Sequence, residues 1–285
     1  MTQSAEVLLD IELPDIDHLV TEDDTPVDNL PSEKQQRLLT EPLYSSWSGP
    51  GDERPFLAAA NVGIFSMVRI PPVVPDMFLS LDVEVAEDWW SKPHRSYFLW
   101  EFGKPPDLVL EIVSNREGGE AEYKKLRYAR MRVSYYVIYD PLRQVMSEVL
   151  TAFHFNGADF EPYPAHFPLL RLGLTLWKGE YEGKQDTWLR WVDADGILIP
   201  TGKERAEQEW QRAEHEKQRA EQESLRADQE EQKAEQASQR AEQERQRAED
   251  QHRRALDAER QLEEERRKLE RLMALLQQSG IQAEM

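Results

Sequence analysis

The apolar residues between positions 56 and 140 fall into short blocks separated by turn residues, which is typical of buried β-strands. The clearest block is residues 107–113 (DLVLEIV), which Pro-Pro precedes and Ser-Asn follows. Residues 77–85 (MFLSLDVEV) and 135–140 (YYVIYD) predict two more strands, and residues 56–70 (FLAAANVGIFSMVRI) predict one or two. These blocks are long enough for one sheet with a buried core.

Residues 119–131 (GEAEYKKLRYARM) lie between two of these strands and have the spacing of a helix. Strand, helix and strand in this order predict a right-handed crossover in a parallel or mixed sheet, and therefore an α/β fold. Farther along, Asn156-Gly157 and Asp195-Gly196 are two-residue turn signals between apolar segments. Residues 143–200 therefore predict hairpins that extend the sheet in an antiparallel direction.

Three segments of different composition divide the chain. Residues 1–30 are acidic and contain several prolines, and they predict an extended arm. Residues 31–200 predict the globular α/β domain, which begins with a short helix for which Ser32 is the expected N-cap. Residues 201–285 repeat a unit close to RAEQExQ every seven residues, which predicts a long charged helix or a coiled coil.

The heptads of this tail contain few large apolar residues. Most have one alanine and, three residues later, a glutamate such as Glu209, which makes a poor coiled-coil seam. Two interpretations stay open, a solvated helix stabilised by i,i+4 charge pairs and a weak alanine seam. Leucines form an apolar stripe only near the end of the tail. We predict that any self-association uses this stripe, which consists of Leu262, Leu269, Leu272, Leu275 and Leu276.

The charge balance of the chain is strongly acidic. The formal net charge is −20, with 17 Lys and Arg against 22 Asp and Glu from Thr201 onwards and 18 against 33 before it. This balance excludes binding to DNA through broad charge complementarity, which relies on Lys and Arg neutralising phosphates. A nuclease with this charge needs a local source of positive charge at its site, such as a bound metal ion.

The sequence lacks the residues that several other classes of protein need. The chain has no cysteine, so it offers no disulfide, thiolate nucleophile or Cys-ligated zinc. No apolar run approaches the roughly 20 residues that cross a bilayer, and the first residues are acidic where a secretory signal is basic. Walker, GxGxxG, GxSxG and HxxxH motifs are absent. We therefore expect a cytoplasmic protein without a membrane partner.

The residues that could carry chemistry lie in three consecutive predicted elements. Asp76 stands at the start of one strand, Glu111 in the middle of the next, and Lys124 on the helix that follows. A carboxylate inside an apolar strand is costly unless it is paired or bound to metal. Two carboxylates suit Mg²⁺ or Mn²⁺, and a nearby ammonium suits phosphodiester hydrolysis. The peptide carbonyl of Ile112 is a candidate third metal ligand because it follows Glu111 directly.

Helical phase distinguishes between the two adjacent lysines. Tyr128 and Met131 lie four and seven residues after Lys124, so these three side chains share the face of the helix that packs on the sheet. Lys125 lies about 100° further round the helix. Lys124 is therefore the inward lysine, and it needs an anionic partner. Glu111 is the candidate partner.

Structural roles are the alternative for each of these residues. Asp76 suits a turn, Lys124 suits a solvated helix surface, and Glu111 suits a structural ion pair. We interpret Asp107 as the residue that opens its strand, although alternation places it on the same strand face as Glu111. We interpret Asp140 as a strand terminator.

Four segments together resemble the Uma-two family of endonuclease-like proteins. They are PDMFLSLDV (75–83), WEFGKPPDLVLEIVSNREGGE (100–120), KKLRYARMRVSYYVIYDP (124–141) and RWVDADGILIPTGKERAE (190–207). The family is assigned to the PD-(D/E)XK nuclease superfamily and is abundant in cyanobacteria. The resemblance covers about residues 20–200, and it implies a restriction-endonuclease-like mixed sheet with flanking helices. Arg132 stands where family members usually have glycine, in the turn before the Val-x-Tyr-Tyr strand.

The resemblance also implies roles for individual residues. The family's PD aspartate falls on Asp76 and its second acid falls on Glu111. Val113 stands where the superfamily pattern has its lysine, and valine cannot replace it. In the family, a lysine one helical turn before a tyrosine is taken to substitute, and this matches Lys124 and Tyr128.

These features lead to a metal-dependent endonuclease that hydrolyses DNA phosphodiester bonds with Mg²⁺ or Mn²⁺. Asp76, Glu111 and the carbonyl of Ile112 would bind the metal, and Lys124 would orient the attacking water. The alternative is a catalytically retired nuclease fold that acts as an interaction protein through residues 201–285. The acidic charge and the displaced lysine favour that alternative. A further alternative is that the tail binds a basic partner or nucleic acid, although its net negative charge opposes nucleic acid.

Overall fold

The computed structural model describes residues 29–51, 54–114 and 120–278. The predicted acidic arm therefore lies almost entirely outside the described residues. The described chain forms a mixed α/β domain followed by one long helix.

The helices are α1 (Leu30–Ser45), α2 (Leu99–Phe102), α3 (Glu120–Met131) and α4 (Gly202–Gln278), with a 3-10 turn at Lys92–His94. The strands are β1 (Phe56–Ala59), β2 (Ile64–Phe65), β3 (Met77–Leu81), β4 (Tyr97–Phe98), β5 (Leu108–Ile112), β6 (Tyr135–Tyr139), β7 (Leu150–Phe155), β8 (Phe160–Tyr163), β9 (His166–Phe167), β10 (Leu172–Tyr181) and β11 (Lys184–Asp193).

The central sheet has six strands in the order β1-β3-β5-β6-β7-β8. β5 and β6 run parallel and are joined through α3, while the other neighbouring pairs are antiparallel. The predicted strand–helix–strand unit and the mixed sheet are thus confirmed. β7 and β8 extend the sheet in the predicted direction, and the side chain of Asn156 accepts from the amides of Ala158 and Asp159 in the turn between them.

The prediction that all of residues 143–200 extend this sheet is wrong for the last three strands. β9, β10 and β11 form a separate antiparallel sheet in the order β11-β10-β9. Its apolar residues need a buried partner surface, and they find it on a face of the central sheet and not at its edge. The residues of this second sheet that share that core are Phe167, Leu172, Leu174, Leu189 and Trp191.

Helix α1 packs on the same face of the central sheet and is fixed to β11. The side-chain amide of Gln35 donates to the carbonyl of Leu189 at 2.8 Å and accepts from its amide at 3.0 Å. The indole of Trp191 donates to the carbonyl of Leu39 at 2.7 Å. The N-cap is Asn29, whose side chain accepts from the amide of Ser32 at 2.9 Å. The prediction of Ser32 as the cap is therefore wrong by three residues.

The opposite face of the central sheet is covered by α3 and by the short parallel pair β2 and β4. The core on this side contains Val109 and Phe78 from the sheet and Tyr128 from α3. Leu108, Leu110 and Ile112 belong to the other core, so the predicted alternation along β5 is confirmed.

Helix α4 begins with a capping box. Thr201 Oγ1 accepts from the amide of Glu204 at 3.2 Å, and the carboxylate of Glu204 accepts from the amide of Thr201 at 2.8 Å. The same carboxylate pairs with the buried guanidinium of Arg190 at 2.5 Å. Within the described residues, contacts divide the chain into two compact units that meet between Gln208 and Glu209.

Beyond Gln208, the described side chains of α4 are almost all exposed. Ion pairs at i,i+4 spacing join Arg245 to Glu249 at 3.3 Å and Arg267 to Glu263 at 3.2 Å. The predicted solvated helix with charge pairs along its surface is therefore the form that this single chain takes. Of the helices that the structure describes, none has both the length and the apolar character needed to cross a membrane.

Arg132 adopts a left-handed backbone conformation with φ of 62° at the end of α3. Its amide donates to the carbonyl of Ala129, and the amide of Val133 donates to the carbonyl of Tyr128. Glycine is the favoured residue in this conformation because a Cβ costs about 1–2 kcal/mol there. We therefore expect Arg132→Gly to raise the free energy of unfolding by about 1 kcal/mol, measured by urea denaturation with tryptophan fluorescence.

Arg130→Gly is the matched control, because Arg130 is also exposed but lies within the helix. It should lower the free energy of unfolding by about 1 kcal/mol. Equal effects of the two substitutions would show that the backbone conformation at Arg132 carries no cost.

Candidate active site

The sheet register brings the ends of β3 and β5 together. Met77 pairs with Leu110 and Phe78 pairs with Val109 in antiparallel strands. Continuing this register by one residue places Asp76, just before β3, opposite Glu111. The two carboxylates therefore meet at the mouth of β3, because the alternation of an antiparallel pair fixes their position.

Glu111 is almost completely buried, with 7% of its surface exposed. Both carboxylate oxygens have a donor from α3. The hydroxyl of Tyr128 donates to Oε1 at 2.5 Å, and Nζ of Lys124 donates to Oε2 at 2.8 Å. A buried carboxylate requires such partners, since an unpaired charge in this position is strongly destabilising.

Lys124 reaches the site as its helical phase predicts. Its Nζ also donates to the carbonyl of Val74 at 3.2 Å, in the segment that leads into β3. Lys125 instead places its Nζ 4.2 Å from the centre of the Phe153 ring. The described contacts thus distinguish the two lysines, because the ammonium of Lys124 bonds to an acid and that of Lys125 lies over an aromatic ring.

Asp76 is held by two donors of different kinds. Its Oδ2 accepts from the amide of Ile112 at 2.6 Å, and its Oδ1 accepts from the side-chain amide of Gln36 at 3.1 Å. The amide and carbonyl of one residue in an extended strand face the same neighbouring strand. The carbonyl of Ile112 is therefore directed to the same side of β5 as the carboxylate of Asp76.

Gln36 and Asn61 are members of the site that the sequence analysis did not identify. The amide nitrogen of Gln36 also lies 3.3 Å from Oδ1 of Asn61, and Asn61 donates back to Oε1 of Gln36 at 3.0 Å. Gln36 is 4% exposed. A signal was present, because Gln36 lies three and seven residues before the buried Leu39 and Leu43 and so shares their face of α1.

The other two acids have the structural roles predicted for them. The carboxylate of Asp107 accepts from the amide of Leu81 at 2.8 Å and from Nζ of Lys104 at 2.6 Å, which fixes the start of β5. The carboxylate of Asp140 accepts from the amides of residues 144–146 at 2.7–2.9 Å. Both acids therefore organise turns next to the strands.

Burial raises the pKa of Glu111 to about 8, in spite of the opposing effect of Lys124 and with a further contribution from the charge of Asp76. Burial, together with the negative charge of Glu111, also raises the pKa of Tyr128 well above its usual value. Tyr128 thus keeps its proton and remains a hydrogen-bond donor. A cation at this site would reverse the balance at Glu111 by favouring its ionised form.

No cluster of three or more His, Asp or Glu side chains suited to a metal ion occurs in the described part of the chain. A metal at this site would therefore depend on two carboxylates and a main-chain oxygen. Asp76, Glu111 and the carbonyl of Ile112 offer oxygen donors of the hard type that Mg²⁺ and Mn²⁺ prefer, and their joint use as ligands stays a prediction.

A mixed sheet with two acids at the mouths of adjacent strands and a lysine supplied by the following helix defines a restriction-endonuclease-like α/β domain. Residues 24–159 match the Uma2 family model, which is described as a putative restriction endonuclease. Through this segment the chain is similar to the Uma2 family. A comparison with curated proteins gave no match. The family match contains Asp76, Glu111 and Lys124, and it ends before β8.

The raised pKa of Glu111 makes the stability of the metal-free protein depend on pH. The folded state holds its proton up to about pH 8, whereas the ordinary value is 4.5. Between these two values the unfolded state has lost the proton that the folded state keeps, so stability falls as pH rises. Glu111→Gln removes this titration. The free energy of unfolding of Glu111→Gln should therefore rise relative to that of the wild type as pH increases. We expect a relative change of more than about 1 kcal/mol from about pH 5 to about pH 9, measured by urea unfolding in EDTA.

Glu182→Gln is the control for a change from glutamate to glutamine. Glu182 is partly exposed, and its hydrogen bond from Lys34, together with Arg37, lowers its pKa. That variant should gain no stability at high pH. If the difference in free energy of unfolding between the wild type and Glu111→Gln stayed the same at every pH, the raised pKa of Glu111 would be contradicted.

Proposed function

We propose that this protein is a metal-dependent endonuclease that hydrolyses phosphodiester bonds in DNA. The observation that carries the proposal is the position of Asp76 opposite Glu111 on neighbouring strands, where the amide of Ile112 donates to Asp76 and the ammonium of Lys124 lies 2.8 Å from Glu111. The match to a family model described as a putative restriction endonuclease supports the same class of reaction.

Asp76, Glu111 and the carbonyl of Ile112 would hold Mg²⁺ or Mn²⁺. When bound, the metal supplies a Lewis acid for a phosphoryl oxygen and lowers the pKa of a bound water. The protein supplies the orientation of the two carboxylates. The amides of Gln36 and Ile112 fix Asp76 without neutralising its charge, and the hydroxyl of Tyr128 fixes Glu111.

Lys124 supplies a second positive charge on the open side of Glu111, where its side chain is 19% exposed. There it would orient the attacking water and stabilise the negative charge that develops on the phosphoryl oxygens. The usual superfamily position is occupied by Val113, which is apolar and cannot do this. Lys124 contacts Glu111 from α3, and its ammonium would supply the positive charge that Val113 lacks.

The proposal predicts a selective loss of cleavage in two variants. Glu111→Ala removes a metal ligand, and Lys124→Ala removes the charge that orients water, so each should reduce plasmid nicking in Mg²⁺ or Mn²⁺ by at least about 100-fold. Lys125→Ala is the matched control, because the neighbouring ammonium lies over Phe153 and should leave nicking unchanged. Nicking assays with all four proteins test this.

Unchanged nicking by Glu111→Ala would refute the active-site assignment. Calorimetric titration of the wild type with Mn²⁺ separates the two functional classes, because an enzyme of this type binds the metal. A wild type that binds no Mn²⁺ and cuts no DNA would favour the retired nuclease fold.

Interaction through α4 is the second candidate function, and the exposed stripe of leucines favours it. These leucines belong to none of the cores of the described residues, and an exposed apolar stripe on a helix is typical of helix–helix association. The described members of the stripe are exposed to 43–71%, namely Leu262, Leu269, Leu272, Leu275 and Leu276. The stripe suits a second copy of the same helix.

Replacing Leu269 and Leu272 by glutamate should abolish self-association, because two charges would enter the proposed helix–helix contact. Leu225→Glu is the matched control, since Leu225 is 59% exposed on the same helix but lies outside the stripe. Sedimentation equilibrium should then show a concentration-dependent dimer for the wild type and the control, and a monomer for the double variant. A wild type that remains monomeric throughout would refute the contact.

A further inference from the structure

A pocket of about 370 Å³ lies on the same side of the central sheet as Glu111. Its base is formed by Leu57 of β1, Phe78 of β3 and Tyr97 of β4, and its outer part by Trp89 and Trp90. Phe78 and Tyr97 are buried and their rings meet edge to face with centroids 5.0 Å apart. We call this site the aromatic pocket.

Strand β3 connects the aromatic pocket with the candidate active site, because it contributes Phe78 to the pocket and follows directly after Asp76. Phe78 follows Asp76 by two residues, and it pairs with Val109, which precedes Glu111 by two residues. Two residues of a strand span about 7 Å. This distance is similar to one step along an extended nucleic-acid strand. A group seated over Phe78 would thus lie next to a phosphate held at Asp76 and Glu111.

The two tryptophans of the pocket expose more of their surface than is usual for such large apolar side chains. Trp89 is 58% exposed and Trp90 is 75% exposed, and their rings meet edge to face with centroids 5.9 Å apart. The turn that carries them is ordered, because the amide of Ser91 donates to the carbonyl of Asp88 at 2.8 Å and the guanidinium of Arg95 donates to the carbonyl of Trp90 at 2.7 Å. Adjacent indoles fixed at a pocket mouth are typical of a binding surface.

The chemistry of the lining matches a nucleobase. The exposed indoles of Trp89 and Trp90 offer flat faces that can stack on a base, and the polar side chains of His94 and Arg95 lie in the same lining. The volume is near the lower end for small-molecule sites, which suits one base and not a larger ligand. The acidic domain gives no broad attraction to a duplex backbone, so stacking is the source of affinity that remains.

We propose that the aromatic pocket binds the base of an unpaired nucleotide next to the scissile phosphate, so that the substrate class is single-stranded DNA or DNA with an unpaired segment. A base inside a duplex is stacked and paired, and it cannot enter the pocket without leaving the helix. This inference rests on the proposed function, because it names the substrate of that same site.

Equilibrium binding in EDTA tests the pocket without cleavage. The probe is a fluorescein-labelled oligothymidylate of about 12 nucleotides, compared with the same strand in a perfect duplex. Fluorescence anisotropy of the full chain should show at least about tenfold tighter binding of the single strand. The double variant Trp89→Ala and Trp90→Ala should lose about tenfold or more of this affinity, while changing both residues to phenylalanine should retain most of it.

Trp210→Ala is the matched control, because Trp210 is 67% exposed but lies on α4 outside the pocket. It should bind the single strand as the wild type does. Equal affinity for single strand and duplex, unchanged binding by the double alanine variant, or no binding of the single strand would each overturn the inference. Single-strand binding without cleavage would refute the proposed enzyme and leave the pocket standing, whereas cleavage without single-strand preference would refute only the pocket.

Discussion

The buried carboxylate of Glu111 is the constraint on which the domain's arrangement depends. It lies in a strand whose five residues are all buried, so solvent cannot stabilise its charge. Its partners must come from the element packed above the strand. Lys124 and Tyr128 are four residues apart on α3, one on each carboxylate oxygen, so this single acid fixes both the rotation and the position of α3 on the sheet.

The second carboxylate is fixed from the other side of the sheet. Asp76 receives the amide of Gln36 from α1, and the neighbouring Gln35 joins α1 to β11 through two hydrogen bonds. The two acids are thus supported by different layers of the domain, and the amide of Ile112 lies between them. The site consequently exists only when both layers are packed on the sheet, although its two acids and its lysine come from three short segments.

Local periodicity was sufficient to predict the centre of the site. Alternation along β5 put Glu111 on the face opposite Leu110, and helical phase selected Lys124 over Lys125, because both arguments involve neighbours a few residues apart. Gln36 and Asn61 could not be placed in the same way, since the contact of Gln36 with Asp76 and that of Asn61 with Gln36 join segments separated by loops. A buried glutamine on a helix face indicates a polar contact without indicating which acid receives it.

The same limit applies to the second sheet and to the aromatic pocket. The turn signal at Asp195-Gly196 correctly marked a reversal, but local sequence does not determine whether a hairpin adds to a sheet edge or packs across its face. In this domain the apolar residues of the second sheet share one core with α1 and a face of the central sheet. The pocket arises from an irregular segment around Trp89 and Trp90, which has neither helical nor strand periodicity and is therefore invisible to pattern analysis.

The acidic charge of the domain restricts how it can recognise a nucleic acid. Repulsion between the net charge and the phosphates acts over about 8 Å at physiological salt, whereas a bound metal, the ammonium of Lys124 and stacking on tryptophan would act at contact distance. Recognition that depends on contact must be confined to the few nucleotides that touch the site. An unpaired nucleotide could place its base in the aromatic pocket and its phosphate at the candidate active site at the same time. A duplex presents mainly its phosphates, and the acidic domain has few cations to neutralise them. The charge balance and the aromatic pocket therefore favour the same class of substrate for independent physical reasons.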